Sequence, residues 1–180
     1  GVEVRPVDAG NQLELTNRGA RDVVVVGYDD EPYLRVGPRG AFENRNSPAT
    51  YLNRTRLGGT ALPDRADPDA APAWHRIGDG TSVRWHDHRA HWMGTTDPPV
   101  VRRDPDQVHR IQRFAVPVVR DGTTVRVRGD VTWIPGPSPW PWIALAAAGA
   151  GAVVAAARTR RAGPALGLAV AGGAGPARRV

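Results

Sequence analysis

The sequence contains no cysteine and no lysine, so all 24 of its basic residues are arginine. Without cysteine the protein has no disulfide framework, no thiolate nucleophile and no thiolate zinc site. The hydrolase and phosphate-binding signatures Gly-x-Ser-x-Gly, His-Glu-x-x-His and the glycine-rich phosphate loop are absent as well. We therefore predict that the protein is not an enzyme, and we assign no catalytic residue to it.

The net charge of +6 is unevenly distributed along the chain. At or before Trp142 there are 19 arginines and 18 acidic residues, which leaves a net charge of +1. After Trp142 there are five arginines and no acidic residue, a net charge of +5. Because a near-neutral folded region without a basic stripe binds nucleic acid poorly, we expect no nucleic-acid partner.

The C-terminal part of the sequence predicts a membrane helix. Residues 143–157 form an uncharged run of small and apolar residues that reaches 18 residues when it is extended back to Trp140. About 17–25 such residues are needed to cross a bilayer. We assign residues 142–157 to a transmembrane helix, with tryptophan rings at the membrane interface where it begins. An alanine-rich helix of a soluble protein is the alternative.

Proline and arginine on the two sides of this run predict its surroundings. Residues 135–141 contain four prolines and form an extended linker. Arginine is clustered directly after the run, at positions 158, 160 and 161. Since clustered arginine favours the cytoplasmic side, we expect residues 1–134 to be an extracytoplasmic domain of a cell-membrane protein. The partners that follow are a lipid bilayer and another envelope protein.

The two ends of the chain carry weaker signals. Residues 158–180 are predicted to be a basic cytoplasmic tail or, through a glycine-rich apolar run at 164–175, a truncated second span. The chain begins with Gly1 and not with Met, so we expect an upstream segment such as a signal peptide.

The region before the linker predicts an all-β fold. Residues 124–133 alternate between apolar and polar side chains, which is typical of a half-buried strand. Asp121-Gly122 before it is a hairpin signal that pairs this strand with residues 114–119, and Gly129 indicates a bulge. We predict five further strands, at Val2–Val7, Gln12–Asn17, Val23–Val26, 33–36 and 82–88, and no helix before the linker. The expected fold is an antiparallel immunoglobulin-like β-sandwich with a C-terminal transmembrane helix.

The stretch 85–93 contains three of the five histidines, two of the six tryptophans and the only methionine. Imidazole and thioether groups are ligands that copper accepts. On a strand through residue 88, His86 and His88 project from the same face, and a turn after His88 would return His91 towards them. We therefore predict a metal site built on His86, His88, His91 and Met93, for copper first and zinc second.

The predicted metal site has candidate neighbours and two competing interpretations. His75 and His109 are candidate additional ligands, and Asp87 would contact a histidine nitrogen if the strand ends early. In the first competing interpretation the histidines and tryptophans pack a hydrogen-bonded loop without metal, in a structural or interaction module of the cell envelope. The second is a metal-dependent enzyme, which needs these histidines in a cleft together with a carboxylate.

Several motifs together carry a resemblance to a known group of proteins. They are Glu-Pro-Tyr-Leu-Arg-Val at 31–36, Asn-Arg-Asn-Ser-Pro-Ala-Thr-Tyr-Leu-Asn at 44–53 and Trp-His-Asp-His-Arg-Ala-His-Trp-Met at 85–93, followed by Pro-Ser-Pro-Trp-Pro-Trp at 137–142. The chain resembles uncharacterised actinobacterial membrane-anchored envelope proteins over most of residues 2–145. The resemblance implies secretion, a small outer domain and a membrane anchor. It implies no established activity.

Overall fold

A computed structural model describes residues 1–162 of the chain. The first compact unit comprises Gly1–Pro135, and a second unit begins at Gly136. The first unit is mostly β, with two antiparallel sheets, and the second contains an apolar helix. The predicted β-rich region followed by an apolar helix is thus confirmed, whereas the run at 164–175 lies outside the described residues.

Nine strands and two short helices make up the first unit. The strands are β1 (Val2–Val7), β2 (Gln12–Asn17), β3 (Val23–Val26), β4 (Pro32–Gly37), β5 (Gly40–Asn44), β6 (Trp74–Gly78), β7 (Ser82–Trp85), β8 (His109–Arg120) and β9 (Thr123–Trp133). The helices are α1 (Ala49–Leu52) and α2 (Pro99–Arg103), with single 3-10 turns at Asp8–Gly10 and His88–Ala90. A three-stranded sheet has the order β1-β2-β7, and a six-stranded sheet has the order β6-β5-β4-β3-β8-β9.

The strand predictions were accurate where side chains alternate and incomplete elsewhere. β1, β2 and β3 have the predicted bounds, β4 is one residue longer at each end, and β8 begins five residues earlier than predicted. β5 and β6 were not predicted. β6 is an edge strand that exposes His75, Arg76 and Ile77, so its sequence shows no apolar alternation. The expectation of no helix before the linker was wrong for the two one-turn helices.

The β8–β9 hairpin follows its sequence signal closely. Asp121 and Gly122 both have positive φ, 49° and 73°, as a two-residue primed turn requires. The irregularity in the ladder lies between Arg110 and Gln112, and not at Gly129 as predicted. Gly129 pairs directly with Phe114, and a Cβ atom at Gly129 would lie 2.4 Å from Cζ of that ring. The glycine therefore makes room for an aromatic ring in a regular part of the hairpin.

Both sheets contribute to one hydrophobic core. Leu13, Leu15 and Trp85 of the small sheet are buried, together with Val25 and Val116 of the large sheet. Within β7 the predicted alternation is confirmed, because Val83 and Trp85 are buried while Ser82 and Arg84 are exposed. Three strands do not cover a face of six, and β9 accordingly has no buried residue.

The helix of the second unit is α3 (Trp140–Ala162). Its apolar part, Trp140–Thr159, has 20 residues and a mean hydropathy of 1.6, which is long and apolar enough to cross a membrane. The predicted transmembrane segment, 142–157, lies within it.

We expect the full chain to stay in the membrane pellet after alkaline carbonate extraction, and a chain that ends at Pro139 to be released. Ala150→Arg should also release the protein, because arginine at the centre of a span costs about 2.5–3.5 kcal/mol. Ala150→Leu is the matched control and should remain in the pellet. Carbonate-resistant pelleting of the arginine variant would show that α3 is not the anchor.

Candidate functional site

The strand β7 ends at Trp85, and a loop of residues 86–93, here named the histidine loop, follows it. Asp87 at its start is 1% exposed. Its carboxylate accepts hydrogen bonds from the indole Nε1 of Trp85 at 3.0 Å, from the backbone N–H of Arg89 at 3.1 Å and from Nε of Arg89 at 2.8 Å. Asp87 thus caps the 3-10 turn His88–Ala90 and contacts no histidine nitrogen. The predicted strand through residue 88 is wrong because this buried carboxylate turns the chain.

Arg89 extends the same contact to the large sheet. Its guanidinium makes a second bond to Asp87, at 2.9 Å, and donates at 3.1 Å to the backbone carbonyl oxygens of Val26 and Gly27. It also lies 4.9 Å from the centroid of the Tyr28 ring, within range of a cation–π contact. The histidine loop is therefore fixed to the end of β3 by a buried, charge-assisted network.

Tyr28 connects the histidine loop to the region after β5. Its hydroxyl donates to Oδ1 of Asn53 and accepts from the backbone N–H of His88 at 3.0 Å. Burial, reinforced by the negative charge of Asp87, raises the pKa of Tyr28 to about 12. The hydroxyl is therefore protonated at neutral pH, as a donor to Asn53 must be.

The motifs at 31–36 and 44–53 also contain buried polar side chains with defined partners. The buried Glu31 carboxylate accepts from Oγ of Ser47 at 2.6 Å and from the backbone N–H of Asp29 at 2.9 Å. The buried Asn44 amide donates to the Pro32 carbonyl at 2.7 Å and accepts from the N–H of Ala73 at 2.8 Å. Sequence reasoning missed these buried polar residues, because an acidic residue beside proline is typical of an exposed turn.

The ring nitrogens of the three clustered histidines are directed at backbone carbonyl groups. Nδ1 of His86 lies 2.9 Å from the oxygen of Asn11, and Nε2 of His88 lies 3.0 Å from the oxygen of Thr55. Nδ1 of His91 lies 3.2 Å from the oxygen of Trp92. Because a carbonyl oxygen only accepts, each of these nitrogens carries the proton.

The structure brings together some of the predicted metal ligands and separates others. The rings of His88 and His91 are 5.6 Å apart between centroids and edge-on. His86 instead lies against β2, where its Nε2 is 3.4 Å from Nε2 of Gln12, and Met93 is 37% exposed at the surface. Among residues 1–162, no group of three or more His, Asp or Glu side chains is arranged to hold a metal ion.

The two more distant histidines lie elsewhere in the first unit. His75 is exposed on the edge strand β6. His109 begins β8, and its Nε2 donates to the carbonyl of Asp104 at 2.6 Å. Among the described residues, neither histidine makes a hydrogen bond or a ring contact with the histidine loop.

His91 differs from its neighbours in having an unused nitrogen. The residue is 4% exposed, and its Nε2 is buried with no hydrogen-bond partner among the described residues. Burial lowers the pKa of His91 and outweighs the bond to the Trp92 carbonyl, which raises it. The ring is thus neutral at pH 7, with the proton on Nδ1 and a bare lone pair on Nε2. An unsatisfied buried acceptor costs about 1–3 kcal/mol.

An open apolar cleft of about 1000 Å³ lies beside His91. It is bounded by β1, by the histidine loop and by the part of the β8–β9 hairpin that is remote from the turn. Apolar side chains dominate the lining, including Val4, Leu13, Phe114, Val127, Val131 and Trp133. The cleft follows from the unequal sheets, because β1 is the edge of the small sheet and nothing in the first unit continues that sheet across β9.

Gln112 fixes the wall of the cleft that the histidine loop provides. Its Nε2 donates to the carbonyl oxygens of Arg89 and His91, at 3.0 and 3.2 Å. The loop is consequently held at both sides, by β3 through Arg89 and by β8 through Gln112. No sequence signal identified the cleft, since its walls come from stretches that are far apart in the sequence.

No protein-family model, curated protein or solved structure matches the chain. Membership of the actinobacterial envelope group therefore stays a prediction from the motifs.

Asp87→Ala should lower the free energy of unfolding by about 3–5 kcal/mol, because it leaves the partly buried Arg89 without its counter-ion. Denaturation of the full chain in detergent, followed by near-ultraviolet circular dichroism, measures the loss. Asp79→Ala is the matched control, since Asp79 pairs with Arg76 at the same distance of 2.8 Å but at the surface. The control should lose at most about 1 kcal/mol, and equal losses would contradict the structural role of Asp87.

Acidification from pH 7 to pH 5 should destabilise the protein partly through His91. Its pKa is lower in the folded than in the unfolded state, so the unfolded chain binds the proton first as the pH falls below about 6.5. Above that pH His91 does not change the free energy of unfolding. Below it, the free energy of unfolding falls until the pH reaches the pKa of His91 in the folded state. His91→Asn should flatten the fall of the melting temperature over this range, whereas the exposed His75→Asn should not. An unchanged slope in His91→Asn would refute the assignment.

Proposed function

We propose that the protein is a membrane-anchored, extracytoplasmic binding module that is not an enzyme and that takes an apolar ligand into the cleft beside His91. The observation that carries the proposal is the cleft itself. Ligand sites are concave, mostly apolar spaces of about 300–1,000 Å³ with a few polar groups, and this cleft has the upper volume of that range. Soluble domains rarely expose a large contiguous set of aromatic and aliphatic side chains unless that surface binds a ligand, a membrane or a partner.

Two further parts of the proposal rest on more general arguments. The sheets form an immunoglobulin-like β-sandwich in the loose sense, supported by the core that side chains of both sheets share. The outer position of the first unit is supported by the arginines that follow the apolar run of α3. The proposed localisation is the cell membrane, and the proposed partners are its lipid and an apolar ligand.

The buried carboxylates already accept hydrogen bonds from the protein, which supports binding rather than catalysis. A general acid or base needs a group that is free to exchange a proton with a substrate. The oxygens of Asp87 are bonded to Trp85 and Arg89, and those of Glu31 to Ser47 and a turn of backbone. These carboxylates hold the fold together. The two carboxylates that line the cleft, Asp97 and Asp130, are exposed and make no hydrogen bond to His91.

Photolabelling in membranes tests the binding function. A long-chain alkyl diazirine without a polar group should label residues 109–134 as well as α3, which lies in lipid. Val131→Arg should reduce labelling of residues 109–134 about tenfold, equivalent to about 1.4 kcal/mol, because it places a charge in the cleft. Val125→Arg is the control on the same face of β9, outside the cleft and already 58% exposed. Equal labelling of the hairpin in both variants would refute the proposal, and labelling of α3 calibrates the yield.

Metal binding remains the second candidate function, and one observation favours it. A neutral imidazole that donates one N–H to a carbonyl and leaves the other nitrogen free is a common arrangement for metal ligands, and His91 has it. Copper or zinc at His91 would find His88 nearby, whereas both nitrogens of His86 already have neighbours and Met93 lies at the surface.

Calorimetric titration of the full chain with copper and with zinc separates this candidate from the first. A metal site predicts micromolar binding that is lost in His91→Asn and weakened in His88→Asn. Binding that is absent, or unchanged when His86, His88 and His91 are all replaced by alanine, would exclude it.

A further inference from the structure

We propose that two copies of this chain associate through the outer edge of β9, whose residues pair antiparallel about a twofold axis at Gly129. The contact joins the two large sheets into one continuous sheet, with six strands from each copy. This interface goes beyond the proposed binding function, and it forms without a ligand in the cleft.

β9 is the longest edge strand of the two sheets. It ends the six-stranded sheet and has 11 residues, none of them proline or lysine. The other edge strands are β1 with six residues including Pro6, β6 with five and β7 with four. Natural proteins protect an exposed edge with a short strand, a lysine, a proline or a covering segment, because its unpaired backbone groups recruit another strand. The length and composition of β9 therefore indicate that a partner strand covers it.

The hairpin turn determines which backbone groups of β9 are free. In a two-residue turn the carbonyl of the preceding residue, Arg120, accepts from the N–H of the following residue, Thr123. Because hydrogen-bonded and non-hydrogen-bonded pairs alternate along an antiparallel ladder, the odd-numbered residues of β9 bond to β8. Pro117 has no N–H and lies opposite the even-numbered Arg126, in agreement with this alternation. The even-numbered residues of β9 therefore direct their N–H and C=O groups away from β8.

The charges on β9 are complementary to themselves about Gly129. In a twofold-symmetric contact, a residue that faces a second residue of the partner copy is itself faced by it in return. With the axis at Gly129, Arg128 of each copy faces Asp130 of the other, and both side chains are exposed. Opposite charges that face each other directly across two strands stabilise the pairing. The interface thus contains two such ion pairs.

Neighbouring positions of the axis are unfavourable. An axis at Arg128 or at Asp130 places that residue opposite its own copy, and an axis at Val127 places Arg126 opposite Arg128. Like charges directly opposite each other destabilise a sheet. Axes between residues would pair even-numbered with odd-numbered positions, whose backbone groups already bond to β8. Among these registers, only the one centred on Gly129 pairs opposite charges.

The apolar side chains agree with the same register. The axis at Gly129 places Val127 opposite Val131 and Val125 opposite Trp133 of the second copy. Val125 is 58% exposed, and the other three side chains are half-buried, so each of them gains cover. Opposed residues of an antiparallel pair have their side chains on the same face of the sheet, which here is the face of the cleft.

The backbone contributes to the contact as well. Arg128–Asp130 and Arg126–Thr132 become hydrogen-bonded pairs, and each occurs twice. Since every such pair exchanges two bonds, about eight backbone hydrogen bonds form. Gly129 faces its own copy at a non-hydrogen-bonded position, where the Cα atoms of paired residues are only about 4.5 Å apart.

Sedimentation equilibrium of the full chain in density-matched detergent measures the association. Arg128→Asp should raise the dissociation constant of the dimer about tenfold, equivalent to about 1.4 kcal/mol, because it places like charges opposite each other. Adding Asp130→Arg restores opposite charges and should restore the association. Asp130→Arg is not used alone, since Asp130 also lies 3.8 Å from Arg113 of its own chain. Arg65→Asp, the same charge change in an exposed loop, is the control and should have no effect.

Cysteine cross-linking tests the register, and the chain has no cysteine of its own to interfere. Val127→Cys combined with Val131→Cys should give a disulfide-linked dimer under mild oxidation. Either substitution alone leaves the two thiols about 14 Å apart and should give none. Val125→Cys combined with Val131→Cys is the matched control, because these residues face each other only if the axis lies at Arg128. Near-ultraviolet circular dichroism reports whether each variant is folded.

Three results would overturn the proposal. The first is an unaltered protein that stays monomeric, which would leave β9 to a strand of another protein. The second is a dimer with the same dissociation constant in Arg128→Asp, because association through α3 would be insensitive to a change in β9. The third is cross-linking of the Val125–Val131 pair and not of the Val127–Val131 pair, which would contradict the axis at Gly129.

Discussion

The buried ion pair between Asp87 and Arg89 is the interaction on which the arrangement of the cleft depends. Asp87 ends β7 by accepting from Trp85 and from Arg89, and Arg89 continues to the carbonyl groups at the end of β3. Desolvation offsets much of the attraction within such a largely buried pair. Removing one partner is strongly destabilising, because it leaves the other charge without compensation. The ion pair therefore fixes the histidine loop in one position, and Gln112 holds that loop against β8.

The unequal widths of the two sheets are the second constraint. Three strands are too few to cover a six-stranded face, and the half of the hairpin that is remote from its turn keeps its apolar side chains uncovered. The histidine loop closes one side of this space and brings His91 to it. The buried loop network and the uncovered part of the hairpin thus meet at His91, which lines the cleft and whose Nε2 is buried without a partner among the described residues.

Local patterns allowed part of the fold to be predicted, and long-range contacts explain the rest. Alternation along β9 and the Asp121-Gly122 turn contain their own geometry, and both were predicted correctly. The end of β7 was not, because its cause is a contact between Asp87 and an arginine that is itself bound to β3. The histidine cluster lies in the loop that forms one wall of the cleft. Its three rings are directed at backbone carbonyl groups, and those of Asn11 and Thr55, which His86 and His88 contact, are distant in sequence and could not be predicted from the cluster.

The most direct measurement is a crystal structure of the full chain grown in lipid with 1-bromododecane. We expect an anomalous bromine peak in the cleft beside Val131 and Trp133. A bromine peak found only along α3, with the cleft empty, would contradict the proposed binding function.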